Sequence, residues 1–566
     1  VSIGTLIVKK CRGVPLALKT MGGLMSSKQS VSEWEVIAES NIGARVQGKN
    51  DVMDILKLSY RHLSPEMKQC FAFCAIFPQD YEMVKDELIQ LWMANGFIQE
   101  EENMDLTHKG EMIFHDLVWR SFLQDVKEEF IIGYHCDSIV CKMHDLMHDL
   151  AKDVTDECAS TTKELDQLKG SIKDVRHLRI PEEMEETMTE LFKGTSSLHT
   201  LIDRSWRSTL WNVSVEFNLA SVRALRCSVI NSAITNATHI RFLDLSETSI
   251  VRLPDSICML YNLQSLRLNS CDELEYLPKG MRTMRKLIHI YLYWCDSLRR
   301  MPPNIGLLNN LRTLTTYVVD TEAGCGIEEL KDLQHLTNRL ELYNLHKVKS
   351  EEKAKQANMY QKKNLSEVLF FWGRQKRCMP NDNAYNEERV LESLAPYCSN
   401  LKVLELHGYG GVEIPEWMRD PHTFQRISKL NISNCPRCKD LPPVWLLVSL
   451  EELSLSCMDN LTTLCTNDDV EAEGCGTSLQ IFPKLKKMFL RNLPNLERWA
   501  VNISGDPSSF ITLPQLEILR ISDCPKLAGI PDCPVLRDLN IDRCSNIAVS
   551  SLAHVTSLSY LSYDAE

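Results

Sequence analysis

No stretch of this 566-residue chain approaches the 18 uninterrupted apolar residues that a membrane-spanning helix requires. The opening VSIGTLIVKKCRGVPLAL is broken by Lys9, Lys10 and Arg12, which suits neither a span nor a signal peptide. It starts at Val1 and not at Met, so an N-terminal portion is expected to lie outside it. Positive charge is also short: 63 Lys and Arg face 76 Asp and Glu, a net charge of −13. Nucleic-acid binders depend on a concentrated positive field, so nucleic acid is excluded as the main partner and a protein is expected. Metal-site spacing is lacking as well. The CPRC string of Cys435 to Cys438 has no second pair at zinc-like distance and no thioredoxin-like context. The 21 cysteines are scattered, most of them inside apolar segments, where a thiol acts as a small hydrophobe; this fits a reducing, cytoplasmic compartment.

What the chain has is repetition. Its length exceeds one ordinary core, so two or three structural units are expected, one of them an elongated array. A pattern L-x-x-L-x-L recurs from about Val175 to the end. Its cleanest run begins at Ile240, Leu263, Leu287 and Leu311, a period of 23 to 24 residues that defines a leucine-rich repeat. Further matches begin at Leu401, Ile427, Leu450, Leu485, Leu516, Leu536 and Leu558, and weaker ones at Val175, Leu198 and Val222. Alternation places Leu243 and Leu245 inside the solenoid, with Phe242, Asp244 and Ser246 on the concave face. A single coil cannot bury its leucines, so neighbours must stack. Cys271, Cys295, Cys435, Cys524 and Cys544 each follow the last strand leucine or isoleucine by three residues, where the side chain faces the buried backbone of the turn. Between about Val318 and Leu365 the pattern fades, and HKVKSEEKAKQANMYQKKNL reads as a charged surface helix inserted near 345–362. TNDDVEAEGCGTS reads as an acidic loop.

The first 160 residues read as helices. Ser64-Pro65-Glu66 is a helix start, MKQCFAFCAIF runs on to Pro78, and a second helix over about Val84 to Asn95 stops at Gly96. A third spans Thr107 to about Gln124. EFIIGY and SIVCKM form a hairpin, and HDLMHDLAKDV returns to helix. Three helices and a hairpin suggest a winged helix. Its helices carry Asp86, Glu87, Glu111 and Asp116 without a basic stripe, which opposes DNA binding and favours a packing or switching role.

Three strings imitate other chemistry. GARVQGKN, residues 43–50, has phosphate-loop spacing but ends in Asn50 where a magnesium-binding hydroxyl is needed, and it follows a helix, so it reads as a polar linker. His144 and His148 lie one helical turn apart, but Asp145 stands where a zinc protease carries its glutamate, so no catalytic residues are assigned and no enzyme is expected. Six sequons, at Asn212, Asn236, Asn364, Asn431, Asn460 and Asn502, would suit a secreted receptor, a reading opposed by the missing secretory signal.

GVPLALKTMGG (Gly13 to Gly23), CFAFCAIFPQDYEM (Cys70 to Met83), LIQLWMANGFI (Leu88 to Ile98) and MHDLMHDLA (Met143 to Ala151), followed by the repeats, resemble the plant nucleotide-binding leucine-rich-repeat resistance proteins of the coiled-coil class, R13L1/RGA-like. The resemblance covers nearly the whole chain and implies an α/β architecture: the end of a helical ARC subdomain over 1–45, a winged-helix subdomain with the MHD motif over 46–160, and a leucine-rich-repeat horseshoe over 161–566. It implies that Pro15 borders the adenine pocket and that His144 approaches the β-phosphate of ADP in the intact protein, holding a closed state. A phosphate loop, the following acidic magnesium strand and a coiled coil are absent from this sequence, so tight ADP or ATP binding by this chain alone is not expected.

The implied role is that of an innate immune receptor. Its array senses a pathogen effector or a modified host protein and regulates an ADP/ATP switch through the intramolecular nucleotide-binding domain, with oligomerisation on activation. Cytoplasmic placement is expected, nuclear or membrane-peripheral sites remaining open. The candidate ligand surface is the concave band with Phe242, Arg267, His289, Tyr291, Tyr293, Glu405, Phe489, Arg491 and Arg520, because exposed aromatic and arginine residues anchor protein interfaces. The alternative is a non-switching repeat scaffold from a truncated resistance gene.

Overall fold

The computed structural model describes residues 2–28, 30–39, 50–102, 104–131, 136–159, 175–180, 197–203, 219–230, 232–373, 384–420, 424–439, 441–465, 479–480, 482–500, 511–544, 547 and 557–564. The GARVQGKN linker, apart from Asn50, and the acidic TNDDVEAEGCGTS loop lie outside them. The chain divides into two compact units, Val1–Leu274 with Leu292–Cys295, and Glu275–Tyr291 with Asp296–Glu566.

The first unit opens with α1 (Ser2–Lys10), α2 (Pro15–Ser26), α3 (Val31–Glu39) and α4 (Asn50–Arg61). Pro15 sits at the first turn of α2, where its missing N–H costs nothing. Ile7, Cys11, Ala17, Met21, Leu24, Met25, Ile37, Ala38 and Ile55 close one core among these helices. The winged helix follows with α5 (Pro65–Phe73), α6 (Lys85–Asn95) and α7 (Leu106–Trp119). Ser64 Oγ accepts from Met67 N–H at 3.2 Å, and Gly96 ends α6 at φ 77°. Strands β1 (Met83–Val84), β2 (Gln124–Ile131) and β3 (Cys136–Lys142) pair antiparallel in the order β1-β3-β2, before α8 (Asp145–Asp153). The expected hairpin is therefore present with a first strand that starts five residues earlier, and β1 is an addition to it.

The repeat strands of the first unit are β4 (Cys158–Ala159), β5 (His177–Ile180), β6 (Thr200–Asp203), β7 (Ala224–Arg226), β8 (Phe242–Asp244) and β9 (Ser265–Arg267), parallel and paired in chain order. In the second unit β10 (His289–Tyr291) pairs with β11 (Thr313–Leu314). There a longer parallel sheet holds β12 (Thr316–Val318), β13 (Thr337–Tyr343), β14 (Asn364–Phe371), β15 (Val403–His407), β16 (Lys429–Ser433) and β17 (Glu452–Ser456). Two short strands, β18 (Thr463–Cys465) and β19 (Leu479–Gln480), precede β20 (Lys487–Arg491), and β21 (Arg498–Ala500) and β22 (Ile511–Thr512) precede β23 (Ile518–Ser522), β24 (Asp538–Asp542) and β25 (Tyr560–Asp564). The long sheet runs β12-β13-β14-β15-β16-β17-β20-β23-β24-β25.

Register shows why the coils stack. Leu404, Leu430, Leu453, Met488, Leu519 and Leu539 are partners in successive strands, as are Leu406, Ile432, Leu455, Leu490, Ile521 and Ile541, and all twelve are buried. Each such side chain stabilises the fold by about 1.5–3 kcal/mol only when the next coil covers it. After most strands one residue turns through positive φ, among them Ser270, Trp294, Asn434, Asp523 and Arg543, and the cysteine that follows points inward. The five cysteines are buried as expected.

The faded segment needs correction. β13 and β14 pair directly, so the ladder is continuous through it. The charged string forms a six-residue helix, α9 (Glu351–Gln356), flanked by single 3₁₀ turns on the return side of an ordinary coil. The next coil is longer and carries α10 (Ala384–Ser393), which packs on α9. The return segment that carries α9 lies outside the long sheet's ladder, so its composition varies without breaking the sheet.

Candidate functional site

In the first unit α6 packs against β7 and β8, with Glu87, Gln90 and Asn95 buried beside its apolar residues. Arg267 Nη1 donates to Gln90 Oε1 at 3.0 Å, and Arg223 Nη1 donates to the Asn95 carbonyl at 2.7 Å. Asn95 Nδ2 donates to Thr200 Oγ1 at 2.9 Å, and the same hydroxyl lies 3.0 Å from His177 Nδ1. His177 is wedged edge-on against Phe73 and Phe97, with ring centroids 5.0 and 5.9 Å away. Arg179 lies over the Tyr81 ring at 4.8 Å. Burial, with the positive charges of Arg176 and Arg223, drives His177 down to about 3. Asp244 is buried, which opposes its charge. Arg226 at 3.0 Å, Arg267 and the Ser246 N–H outweigh that and hold the carboxyl below its usual range.

These contacts correct the candidate surface. Phe242 and Arg267 are each 1% exposed, because the chain's own winged helix covers the concave side of these coils. His289, Tyr291 and Tyr293 are buried too, with His289 Nδ1 3.0 Å from Thr313 Oγ1. They are packing residues and not exposed anchors. The exposed ring of this stretch is Trp294, at the positive-φ turn and 52% exposed.

The remaining candidates lie in the second unit. Arg491 and Arg520 are exposed and Phe489 is half-buried. Phe489 and Arg520 are register partners, the guanidinium lying 6.0 Å from the ring and 3.2 Å from Asp538. Glu405 is mostly covered. Burial would raise its pKa, but the His407 contact at 2.9 Å and the charges of Lys429 and Arg339 outweigh it and keep the carboxyl low. Asn431 Nδ2 also donates to Glu405, at 3.1 Å, so this sequon asparagine is engaged in a strand. Beside Glu405 runs a ring ladder that the sequence reading missed. Tyr343, Phe371 and His407 end successive strands and stack at 4.3 and 4.4 Å, within 3° of parallel. Equivalent positions in neighbouring parallel strands are about 4.8 Å apart, so planar side chains there stack naturally. The signal was available in Tyr343 of YNL, Phe371 of FFW and His407 of LHG, but the first of these falls in the stretch where the pattern fades. An open hollow of about 410 Å³ beside Tyr276 is charge-balanced, with Lys347 on Asp320 at 2.6 Å and Arg300 on Glu322.

The two residues assigned to nucleotide lie in the helical part of the first unit, joined through α4, which packs on α2 and α8. Pro15 is exposed at the start of α2. His144 caps α8: its Nδ1 accepts from Leu146 N–H at 3.2 Å. The neutral ring then carries its proton on Nε2, a donor that fits an anion.

A winged helix joined to a leucine-rich-repeat array defines the class. Residues 76–151 match the disease resistance protein winged helix domain, 327–458 the R13L1/DRL21 leucine-rich repeats, and 400–540 the RPS2-like leucine-rich repeats of plant disease resistance proteins. The Solanum bulbocastanum protein designated RGA4 is 32% identical over 99% of this chain and 53% of its own length. The RPP13-like protein 1 of Arabidopsis thaliana is 33% identical over 95% and 52%. The chain belongs to the RGA/RPP13-like plant disease resistance proteins, and it spans about half the length of the curated relatives it matches. A leucine-rich-repeat protein of Leptospira interrogans is similar at a TM-score of 0.37 and 17% identity, covering 70% of this chain and 94% of that one. Among the described residues no helix is long and apolar enough to cross a membrane.

Proposed function

We propose that this chain is the sensing and coupling part of a plant immune receptor, in which the array recognises a pathogen effector or an altered host protein and regulates an ADP/ATP-dependent switch. It performs no catalysis of its own. The observation that supports this reading is the different use of equivalent strand positions: those of β6 to β9 hold the winged helix, whereas those of β15 to β24 keep Phe489, Arg491 and Arg520 at the surface. A ligand shifts a switch only by binding one state better than the other, so it must favour the form in which the winged helix is released. When ADP is bound by the intact protein, Pro15 would border the base and His144 Nε2–H would donate to phosphate at the start of α8, where the helix field favours an anion. The phosphate-binding lysine and the magnesium carboxylates belong to the intact family and not to this sequence. Isothermal titration of the chain with ADP is therefore expected to show no sub-micromolar binding.

The decisive experiment is Phe489→Ala with Arg520→Glu in a plant whose resistance depends on this gene. Pathogen-triggered defence should be lost while accumulation of the protein is unchanged. Full resistance in that variant would remove the surface from consideration.

A further inference from the structure

Two pairs of the turn cysteines sit in neighbouring coils: Cys271 with Cys295, whose turns meet through Ser270 N–H on the Tyr293 carbonyl, and Cys524 with Cys544, whose turns meet through Asp523 N–H on the Asp542 carbonyl. All four are buried. Their thiols are satisfied differently. Cys271 Sγ donates to the Leu245 carbonyl at 3.2 Å and lies 3.4 Å from Thr248 Oγ1, and Cys295 Sγ donates to the Leu268 carbonyl at 3.0 Å. Each reaches back to the coil before it. Cys524 and Cys544 lie within their own coils against the Ser522 carbonyl at 3.3 Å and the Asp542 carbonyl at 3.2 Å, and the single Cys524 S–H is shared between its carbonyl and the Cys544 sulfur.

We propose that Cys524 and Cys544 form a redox-active dithiol, a site of reversible oxidation to a disulfide that joins β23's coil to β24's coil. Neighbouring parallel strands run about 4.8 Å apart, inside the roughly 4.4–6.8 Å between Cα atoms that a disulfide spans. The thiol–thiol hydrogen bond also brings Cys544 down to about 7, although burial and the carboxylates of Asp523 and Asp542 oppose this. Arg543 bridges both carboxylates, at 2.9 and 3.2 Å. Burial holds Cys398 and Cys465 at about 12.

With a hydroperoxide as oxidant, the Cys544 thiolate attacks the terminal peroxide oxygen and breaks the O–O bond. The leaving alkoxide or hydroxide takes up a proton, and a sulfenic acid remains on Cys544. Cys524 sulfur then attacks that sulfur, and its proton leaves with the hydroxyl as water. Two thiols are oxidised by two electrons, one peroxide is reduced, and a thiol reductant reverses the change.

Cys271 and Cys295 supply an internal control in the same chain. The full-length chain is exposed to hydrogen peroxide at pH 7 under native conditions, its remaining thiols are blocked, and tryptic peptides are followed by mass spectrometry. The linked pair Ile521–Lys526 with Cys544–Glu566, about 2 Da lighter than the two thiol peptides together, should form first and disappear with dithiothreitol. It should outpace a Leu268–Lys279 with Leu287–Arg299 link about fivefold or more, the larger thiolate fraction being partly offset by lower nucleophilicity. Absence of the Cys524–Cys544 link, its formation only in denaturant, or a rate no greater than that of the control pair would overturn the proposal.

Discussion

Lowering the pH from 7 to 5 should loosen the seam between the winged helix and the first repeats, with His177 the more deeply buried contributor beside His199, which burial and Arg223 lower to about 4. Its ring is 3% exposed, enclosed by Phe73, Phe97 and Thr200. Burial first, then the charges of His199, Arg176 and Arg223, place it at about 3 against 6.5 for a free imidazole. The folded value lies below the unfolded one, so the opened chain takes up the proton first. Stability is therefore complete above about pH 6.5 and falls as the pH drops towards 3. At pH 5 the opened state gains about 1.5 pK units of protonation, which is about 2 kcal/mol. Native-state hydrogen exchange of peptides over α6 and β5 reads the opening free energy of this seam directly. His177→Asn keeps a polar atom near Thr200 and removes the titration, while any cavity it leaves weighs equally at both pH values. The wild-type chain should lose about 2 kcal/mol more than the variant between pH 7 and pH 5. Equal losses in the two proteins would mean that water reaches the imidazole, and the enclosed seam would be refuted.

Arg267→Ala should cost about 3 kcal/mol in urea denaturation, because it removes the buried hydrogen bond to Gln90 and weakens the charge balance of buried Asp244. Arg520→Ala should cost less than about 1 kcal/mol, since its pair with Asp538 is exposed; the reverse order would restore Arg267 as a surface residue. Gly23→Ala places a Cβ 2.7 Å from Arg120 Cα and 3.1 Å from the Trp119 carbonyl, so α2 must move off the end of α7, and a loss of about 1–3 kcal/mol is expected in thermal melts. Lys362 is fully buried and donates to the Leu330 carbonyl at 2.8 Å; burial brings it down to about 8, with Asp332 opposing. The unfolded chain holds that proton up to about 10.5, so stability should rise by about 2 kcal/mol from pH 8 to pH 10, a rise that Lys362→Met should lack.

The sequence made the strands easy to find and the surface hard. Strands begin two residues after every marked repeat start from Val175 to Leu558, because an interior leucine ladder imposes the same spacing on the chain that it imposes on the coils. β13 and β14 were overlooked although Leu340, Leu342, Val368 and Phe370 fit the pattern. The charged return helix between them drew the reading away, yet a return segment takes almost any composition. The His144 cap is likewise a local feature, readable from a histidine one residue before a helical run.

Burial of Phe242 and Arg267 was of another kind. Strand alternation tells which side chains leave the core, and it does not tell whether another domain comes to cover them. The useful sign lay elsewhere in the chain, in LIQLWMANGFI. A helix whose apolar residues run all round it must be covered on every side, so it needs a second partner beyond its own domain. In α6 Leu88, Ile89, Leu91, Trp92, Met93 and Ala94 are all buried, and its three buried polar side chains, Glu87, Gln90 and Asn95, require partners that an apolar core does not offer. Arg267 provides one for Gln90 and Thr200 one for Asn95, while Arg223, beside β7, takes the Asn95 backbone carbonyl at the end of α6. The same residue type at equivalent strand positions therefore has opposite meanings: an arginine matched to α6 is a stability residue, and one such as Arg520, exposed beside Phe489 and Asp538, remains available to a ligand.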